Sequence, residues 1–274
     1  MRRIVLVVGT LALLGVIALT YMYSVALRDP VVRRANVEMR DWPRGAKPLK
    51  VVLLTDIHVA GPDMPPSRVS RIVDQVNALK PDLVLIAGDF VTDKRNRTKT
   101  YTGSEALAPL SKLRSSLGTV AVLGNHDHWR GEADMIAAIR NAGIRLLSNN
   151  ARAIGPLSLG GADDAFTGND DVTATLRDMR RLPGSRVLLS HSPDVMPDVP
   201  GDVSLILAGH THCGQIRFPL IGTPSTMSDF GNRYACGLVR EGPKRLVVAG
   251  LGTSILPLRL GAVPDIWLLT LEGR

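Results

Sequence analysis

The chain has 274 residues, 45% of them hydrophobic, and only two cysteines, Cys213 and Cys236. This composition allows a sizeable core and excludes a disulfide-rich scaffold or a cysteine-based zinc module, while the pairing of the two cysteines stays open. The net charge of +8 is uneven: residues 1–50 carry nine basic and three acidic side chains, and the other 224 residues carry 24 and 22. A basic excess beside a hydrophobic segment favours a membrane surface, and we expect no nucleic-acid partner.

The N-terminal segment from Ile4 to Leu27 has 24 residues without a charge. As a helix it would be about 36 Å long, enough to cross a hydrocarbon core of about 30 Å. We predict an uncleaved single-pass anchor over residues 1–27 in the cell (inner) membrane. The alternative is a signal peptide cleaved after Ser24-Val25-Ala26. Six Arg or Lys in the twenty residues after the segment, against two before it, favour a cytoplasmic C-terminal domain. A signal anchor with Arg2-Arg3 inside would place that domain on the extracytoplasmic side.

The next segment, residues 28–48, is polar and rich in Pro and Gly, which predicts a linker. Residues 49–274 are predicted to form one domain in which strand-like and helix-like runs alternate. Helices are expected after N-caps at Ser67 and Ser104, and over 132–142. Strands are expected at 51–54, 83–87, 120–123, 144–147, 157–160, 187–189, 204–208, 235–239, 246–249 and 266–271. This order predicts an α/β fold, a layered β-sandwich flanked by helices.

Five of the apolar runs are followed at once by histidine, carboxylate or amide side chains. These clusters contain five of the six histidines in the chain. In open α/β sheets, functional sites form where strands end in loops, so we expect the clusters to meet. Imidazole together with carboxylate and amide oxygen suits metals such as Mn, Fe or Zn. The clusters are Asp56-Ile57-His58, Gly88-Asp89, Gly124-Asn125-His126-Asp127, His191 and Gly209-His210-Thr211-His212.

The order and spacing of these clusters over residues 50–215 resemble the calcineurin-like metallophosphoesterases. The Gly-Leu-Gly-Thr-Ser at 250–254 and Pro-Leu-Arg at 257–259 resemble the membrane-anchored bacterial branch of that superfamily. The resemblance implies an αββα fold and an enzyme with two divalent metal ions. Such an enzyme hydrolyses a phosphoester or pyrophosphate bond with a metal-bound hydroxide.

The resemblance also implies a role for each clustered residue. Asp127 would orient the ring of His126, which would donate a proton to the phosphoryl or leaving-group oxygen. Thr92 stands where purple phosphatases carry a tyrosine, so a tyrosinate-ligated ferric site is not expected. The implied ligands are Asp56, His58 and His212 for one ion, Asn125, His191 and His210 for the other, and Asp89 as the bridge.

Four further features have two readings each. His128 could line the substrate cleft or be a surface histidine, and Arg259 could contact substrate phosphate or form a salt bridge. Asp163-Asp164 could have a functional role, but we expect them to be turn or loop carboxylates. The loop 93–99 carries four positive charges and one negative; it could meet a phosphate-rich headgroup or be an ordinary solvated loop.

The anchor and its basic flank predict a phosphate-containing substrate that is lipid-linked or belongs to the cell envelope. The resemblance implies, as the most specific candidate, a UDP-2,3-diacylglucosamine pyrophosphatase in lipid A synthesis. The alternatives are a general exported phosphodiesterase and a non-catalytic scaffold on the same fold. The oligomeric state is not predicted.

Overall fold

The structure is a computed structural model that describes residues 1–273. Within that range it has five α-helices and twelve β-strands. The helices are α1 Arg2–Ala26, α2 Pro66–Ala78, α3 Gly103–Leu107, α4 Asn125–Asn141 and α5 Val172–Arg180. The strands are β1 Val31–Met39, β2 Leu49–Leu54, β3 Leu83–Ala87, β4 Thr119–Val122, β5 Arg145–Leu146, β6 Asn150–Ile154, β7 Leu157–Gly161, β8 Ser185–Leu189, β9 Leu205–Ala208, β10 Gly237–Glu241, β11 Lys244–Val248 and β12 Asp265–Gly273.

The strands form two six-stranded sheets, ordered β1-β12-β2-β3-β4-β5 and β10-β11-β9-β8-β7-β6. Their inner faces pack together through residues such as Val51, Leu85 and Leu205. The outer faces are covered by helices, with Val73 of α2 on the first sheet and Met179 of α5 on the second. Central strands are therefore buried on both faces, which explains their continuous apolar sequences. The predicted layered α/β sandwich is confirmed.

The central strands run parallel, so their carboxyl ends meet at one edge of the sandwich. In the first sheet β2, β3 and β4 are parallel, and in the second β7, β8, β9 and β11 are parallel. We call this side of the molecule the catalytic edge, because the predicted site residues follow these strand ends.

The segment 28–48 differs from the predicted linker, because residues 31–39 form β1. This strand pairs in parallel with β12 along its whole length, from Val31 beside Asp265 to Met39 beside Gly273. An edge strand buries few side chains, here chiefly Val37 and Met39, and adjacent arginines interrupt its apolar pattern. The sequence signal for a strand is weak for that reason. Strand β6 and helix α5 were also not predicted.

Helix α4 begins at Asn125 rather than at 132, with a non-helical Gly131 inside it, and two other helix starts differ from prediction by two residues. Helix α2 begins at Pro66 after Pro65, which makes no side-chain cap, so Ser67 is not the N-cap. Helix α3 is capped by Thr102 rather than Ser104, since Thr102 and Glu105 exchange side-chain hydrogen bonds with each other's backbone N–H groups.

Helix α1 is the one helix, within residues 1–273, that is long and apolar enough to cross a membrane. Its side chains are exposed up to Tyr21, whereas Val25 and Ala26 are buried against the domain.

Cys213 and Cys236, whose pairing the sequence leaves open, form a disulfide. That bond closes the loop between them, which borders the catalytic edge.

Candidate metal centre

The structure brings all seven predicted metal ligands together at the catalytic edge. They leave five different strands, β2, β3, β4, β8 and β9, and all are buried. Several have positive φ angles, among them Asp56 (51°), Asp89 (55°) and His210 (68°). Non-glycine residues rarely adopt this left-handed conformation, and it concentrates at functional sites. We call the set Asp56, His58, Asp89, Asn125, His191, His210 and His212 the metal cluster.

One half of the metal cluster gathers Asp56, His58, Asp89 and His212, each of which offers a ligand atom within 4.8 Å of the others. The Nε2 atoms of His58 and His212 are 3.0 Å apart. The Asp56 Oδ1 atom lies 3.8 Å from His212 Nε2 and also accepts the backbone N–H of His210 at 2.8 Å. Four side chains from two sheets thus converge on one small volume.

The other half gathers Asn125, His191 and His210. The Oδ1 atom of Asn125 lies 3.0 Å from His191 Nε2 and 3.1 Å from His210 Nδ1. These two ring nitrogens are 3.2 Å from each other. The three atoms form a compact triangle of potential ligands.

Asp89 lies between the two halves. Its Oδ2 atom is 3.3 Å from His58 Nε2 in one half and 3.3 Å from His191 Nε2 in the other. Its Oδ1 atom accepts the backbone N–H of His126 at 2.9 Å, which fixes the carboxylate plane. This is the placement that a bridging carboxylate requires.

Backbone carbonyls hold the outer ring nitrogens of three histidines. His191 Nδ1 donates to Ala87 O at 2.7 Å, His212 Nδ1 to Gly252 O at 3.1 Å and His210 Nε2 to Met227 O at 3.0 Å. Such bonds fix the tautomer and turn the other nitrogen's lone pair toward the centre of the cluster. The inward atoms are therefore acceptors that approach one another, and only a cation or a proton between them relieves the repulsion.

The electrostatics of the cluster favour the binding of positive charge. Burial raises the pKa of Asp56 to about 7 and lowers the pKa values of His58 and His210 to about 4. Burial would also raise the pKa of Asp89, but the facing His191 and His58 hold that pKa well below its usual range. Burial would lower the pKa of His191, but the carboxylate of Asp89 raises that pKa well above its usual value. Buried carboxylates that attract positive charge fit divalent cations, which supply that charge.

The glycines that precede Asn125 and His210 allow the ligand carboxylates to lie close to the backbone. A Cβ atom on Gly209 would lie 2.7 Å from Asp56 Oδ2, and one on Gly124 would collide with the Asp89 carboxylate. Either side chain would displace a predicted ligand, which explains why glycine precedes Asn125 and His210.

His126 lies at the mouth of the cluster, with 13% of its side chain exposed. Its ring centroid is 4.7 Å from that of His58, and its Nδ1 is 2.5 Å from Asp93 Oδ1. The sequence prediction that Asp127 orients this ring is wrong. The buried Asp127 carboxylate instead accepts backbone N–H groups from Gly124, Asp89 and Phe90 at 2.8 to 3.0 Å. Asp127 therefore holds the Asp89 loop against the start of α4.

Asp93 was missed as a site residue because it stands in the basic loop 93–99. In that loop Lys94 is buried against Asp63 at 2.6 Å, and Arg97 folds back onto the carbonyl oxygens of Asp93 and Lys94. Arg95 and Lys99 remain exposed. Two of its four cations thus face solvent.

The two residues predicted as substrate contacts are engaged elsewhere. His128 is half-buried, with Nε2 2.8 Å from the carboxylate of Asp163. The side chain of Arg259 is fully buried, and its guanidinium donates to carbonyl oxygens of His212, Gly250, Gly252 and Ala262 at 2.6 to 3.1 Å. The expected roles of Arg259 in phosphate binding or a salt bridge are therefore both wrong: it clamps the loop that carries His212.

Two aromatic side chains near the mouth also escaped the sequence analysis. Trp129 packs edge-on against His126 with ring centroids 5.0 Å apart, and Phe166 lies 4.6 Å from the ring of His210. Both are exposed, and their centroids are 6.1 Å apart. Trp129 on α4 and Phe166 in the loop after β7 are isolated aromatic residues, and no sequence pattern marks them as site residues.

The sequence model of the calcineurin-like phosphoesterase family matches residues 49–214, which include the whole metal cluster. The chain belongs to this family. A "transmembrane protein with metallophosphoesterase domain" from Bos taurus is 31% identical over 270 residues, 90% of this chain and 58% of that protein. The "uncharacterized metallophosphoesterase YkuE" of Bacillus subtilis is 31% identical over 242 residues, 84% of this chain and 82% of that protein.

Among solved structures of similar shape is the 5'-nucleotidase precursor from Thermus thermophilus. It has a TM-score of 0.46 and 16% identity, over 82% of this chain and 55% of that one. Membership of the calcineurin-like phosphoesterases supports a metal-dependent phosphoesterase, and the chain spans little more than half the length of the bovine relative.

Proposed function

We propose that the protein hydrolyses a phosphoester or pyrophosphate bond with two divalent cations held by the metal cluster. Asp56, His58 and His212 would hold one cation, Asn125, His191 and His210 the other, and Asp89 both. The observation that carries this proposal is the position of Asp89 Oδ2, 3.3 Å from a histidine of each half. Bound cations would neutralise the substrate phosphate and lower the pKa of a bound water. Mn, Fe and Zn all suit the donor set.

The protein's own groups supply the remaining steps. His126 is placed to donate a proton to the leaving-group oxygen, because it lies at the mouth beside His58. Asp93 would hold the Nδ1–H of that ring, so that Nε2 faces the substrate. Asp127 would keep Asp89 in place through the backbone N–H groups that it accepts.

The experiment is a screen of phosphomonoesters, phosphodiesters and diphosphates with the full chain loaded with Mn, Fe or Zn. Metal-dependent hydrolysis of at least one class is expected. The Asp89→Asn variant, loaded in the same way, is the matched control for contaminating phosphatases. Wild-type turnover no higher than that of Asp89→Asn across the whole screen would refute the proposal.

For the substrate, we propose a lipid-linked or envelope phosphate, with UDP-2,3-diacylglucosamine as the most specific candidate. The support is the anchor helix, whose C-terminal end lies at the catalytic edge. The protein should release UMP and a lipid monophosphate from that lipid nucleotide. A general phosphodiesterase is the second candidate. Turnover of bis-p-nitrophenyl phosphate together with no UMP release would favour it.

For the membrane side, we propose that the domain is extracytoplasmic. The positive-inside count favours the cytoplasm, but the disulfide between Cys213 and Cys236 favours an oxidising compartment. A reporter fused to the C-terminus decides between them: alkaline phosphatase should be active and green fluorescent protein dark. The opposite pattern would place the domain in the cytoplasm.

A further inference from the structure

The end of the anchor helix and the metal cluster lie at the same edge of the first sheet. Strand β1 starts at Val31 beside Asp265, the first residue of β12. Strand β12 runs antiparallel to β2, so its start lies beside the end of β2, which leads directly into Asp56. Strands β1 and β2 are two strand spacings apart, about 10 Å. A membrane that holds α1 is therefore close to the catalytic edge.

The connection between α1 and the domain is fixed by hydrogen bonds. The backbone N–H of Arg259 donates to Met22 O, within α1, at 3.0 Å. The buried Arg68 donates to Arg28 O at 2.6 Å and to Asp63 O at 2.7 Å, and Gln75 donates to Pro30 O at 2.9 Å. Since Val25 and Ala26 at the end of α1 are also buried, the domain is not free to rotate about a linker.

Two loops beside this junction expose apolar side chains. They are joined by backbone bonds from Arg217 to Leu260 (2.7 Å) and from Leu260 to Gln215 (3.0 Å), next to the Arg259 that contacts α1. Leu220 is fully exposed, Ile221 is 79% exposed and Ile255 is 69% exposed. We call the exposed apolar residues of these loops the apolar rim: Phe218, Leu220, Ile221, Ile255 and Leu256.

The same two loops also border the metal cluster. One of them carries Met227, whose carbonyl oxygen holds His210, and is closed at both ends by the disulfide from Cys213 to Cys236. The other carries Gly252, whose carbonyl oxygen holds His212. The position of the rim is thus coupled to the position of the cluster.

The exposure of the rim is costly in water, because large apolar side chains gain free energy by leaving it. Two exposed cations lie in the same region, Arg217 within the first rim loop and Arg28 directly after α1. Apolar side chains together with cations suit the interface of an anionic bilayer, where the former enter the acyl boundary and the latter meet phosphates. Continuity with a helix that can span a membrane favours lipid over a protein partner as the occupant.

We propose that the apolar rim inserts into the bilayer that holds α1, and that the metal cluster opens onto its headgroup region. The domain then has two membrane contacts, a spanning helix and a shallow rim, with the cluster beside them. A substrate held in that bilayer presents its phosphate to the cluster without leaving the lipid. This last step rests on the proposed phosphoesterase function, whereas the insertion of the rim does not.

The test is depth-dependent fluorescence quenching of the full chain in vesicles of phosphatidylethanolamine and phosphatidylglycerol with brominated acyl chains. A reporter tryptophan is introduced by Leu220→Trp or, in the second loop, by Ile255→Trp. The matched control is Arg177→Trp, on the exposed face of α5, which covers the outer face of the second sheet over β6 and β7. Wild type gives the background of Trp42, Trp129 and Trp267. Circular dichroism and thermal unfolding select folded variants.

Both rim reporters should lose most of their fluorescence in brominated vesicles, with a blue-shifted emission maximum, while the α5 control stays at the wild-type background. Rim reporters quenched no more than the control would overturn the proposal and would leave a protein partner as the occupant. The quenching measurement does not depend on enzymatic turnover. Strong rim quenching in a protein that hydrolyses no phosphoester would therefore refute the proposed function and leave the membrane contact standing.

Discussion

The metal cluster and the apolar rim lie at the same edge of the molecule. Each departs from the usual distribution of buried and exposed residues, and the two depart from it in opposite ways. The cluster buries two carboxylates, Asp56 and Asp89, whereas the rim exposes Leu220 and Ile221. Folded proteins normally bury apolar groups and expose charged ones. In each region we propose a partner that is not part of the chain: divalent cations for the cluster and lipid for the rim. Buried carboxylates and exposed apolar side chains of this kind therefore indicate where function is to be sought.

The two regions also differ in how firmly the fold holds them. The cluster stands on the ends of five strands, and its ring orientations are set by backbone carbonyls. The rim stands on loops held by a disulfide and a few backbone bonds. Substitutions in the cluster should therefore affect the chemistry, with effects that decrease toward the mouth. Substitutions of the exposed rim side chains should affect membrane contact and, through it, the turnover of substrates held in the bilayer.

The largest effect is expected for Asp89→Asn, at the centre of the cluster. The amide cannot give a negatively charged oxygen to each of two cations, so we expect turnover to fall about 1,000-fold or more. Steady-state kinetics with metal in excess measures this loss. The matched control is Asp163→Asn, a buried carboxylate outside the cluster that binds His128. Equal losses in both variants would contradict the special position of Asp89.

An intermediate effect is expected for His126→Ala, at the mouth. Loss of a positioned proton donor should lower turnover about 100-fold, and less for a p-nitrophenyl ester, whose leaving group needs little protonation. Metal content should be unchanged. The control His128→Ala removes a ring two residues further along α4 that points to Asp163. A His126→Ala enzyme with wild-type turnover on poor leaving groups would refute the proton-donor role.

The smallest effect is expected for Asp93→Asn, whose side chain is 45% exposed. The amide still contacts the His126 ring but is a weaker acceptor for its Nδ1–H and orients the ring less firmly, so turnover should fall about 10-fold. The dependence on leaving group should shift in the same direction as for His126→Ala. Asp74→Asn, an exposed carboxylate on α2, serves as the control. If Asp127→Asn changed the leaving-group dependence and Asp93→Asn did not, our assignment of the orienting carboxylate would be wrong.

Much of the sandwich could be predicted from the sequence, because buried parallel strands such as β3 and β9 are uninterrupted apolar runs. The candidate ligands followed directly, since each stands within four residues of a strand end. The edge strand β1 could not be predicted in this way. Its partner β12 is more than 200 residues away, and only side chains such as Val37 and Met39 are buried.

Contacts between loops that are far apart in the sequence could not be predicted either. Asp93 reaches His126 across 33 residues, and Arg259 clamps the His212 loop across 47. No local periodicity marks either residue. The apolar rim also lacks a pattern, because Leu220 and Ile255 stand in irregular loops and become one surface only through the bonds that join Gln215, Arg217 and Leu260.

The most direct test of the metal cluster is elemental analysis of the folded full chain after chelation and titration with Mn, Zn or Fe(II). Seven converging ligands with one bridging carboxylate predict two tightly held divalent ions per wild-type chain, and fewer in Asp89→Asn at the same folded fraction. Folded wild-type protein that retains no ion, or retains the same number as Asp89→Asn, would contradict the assignment.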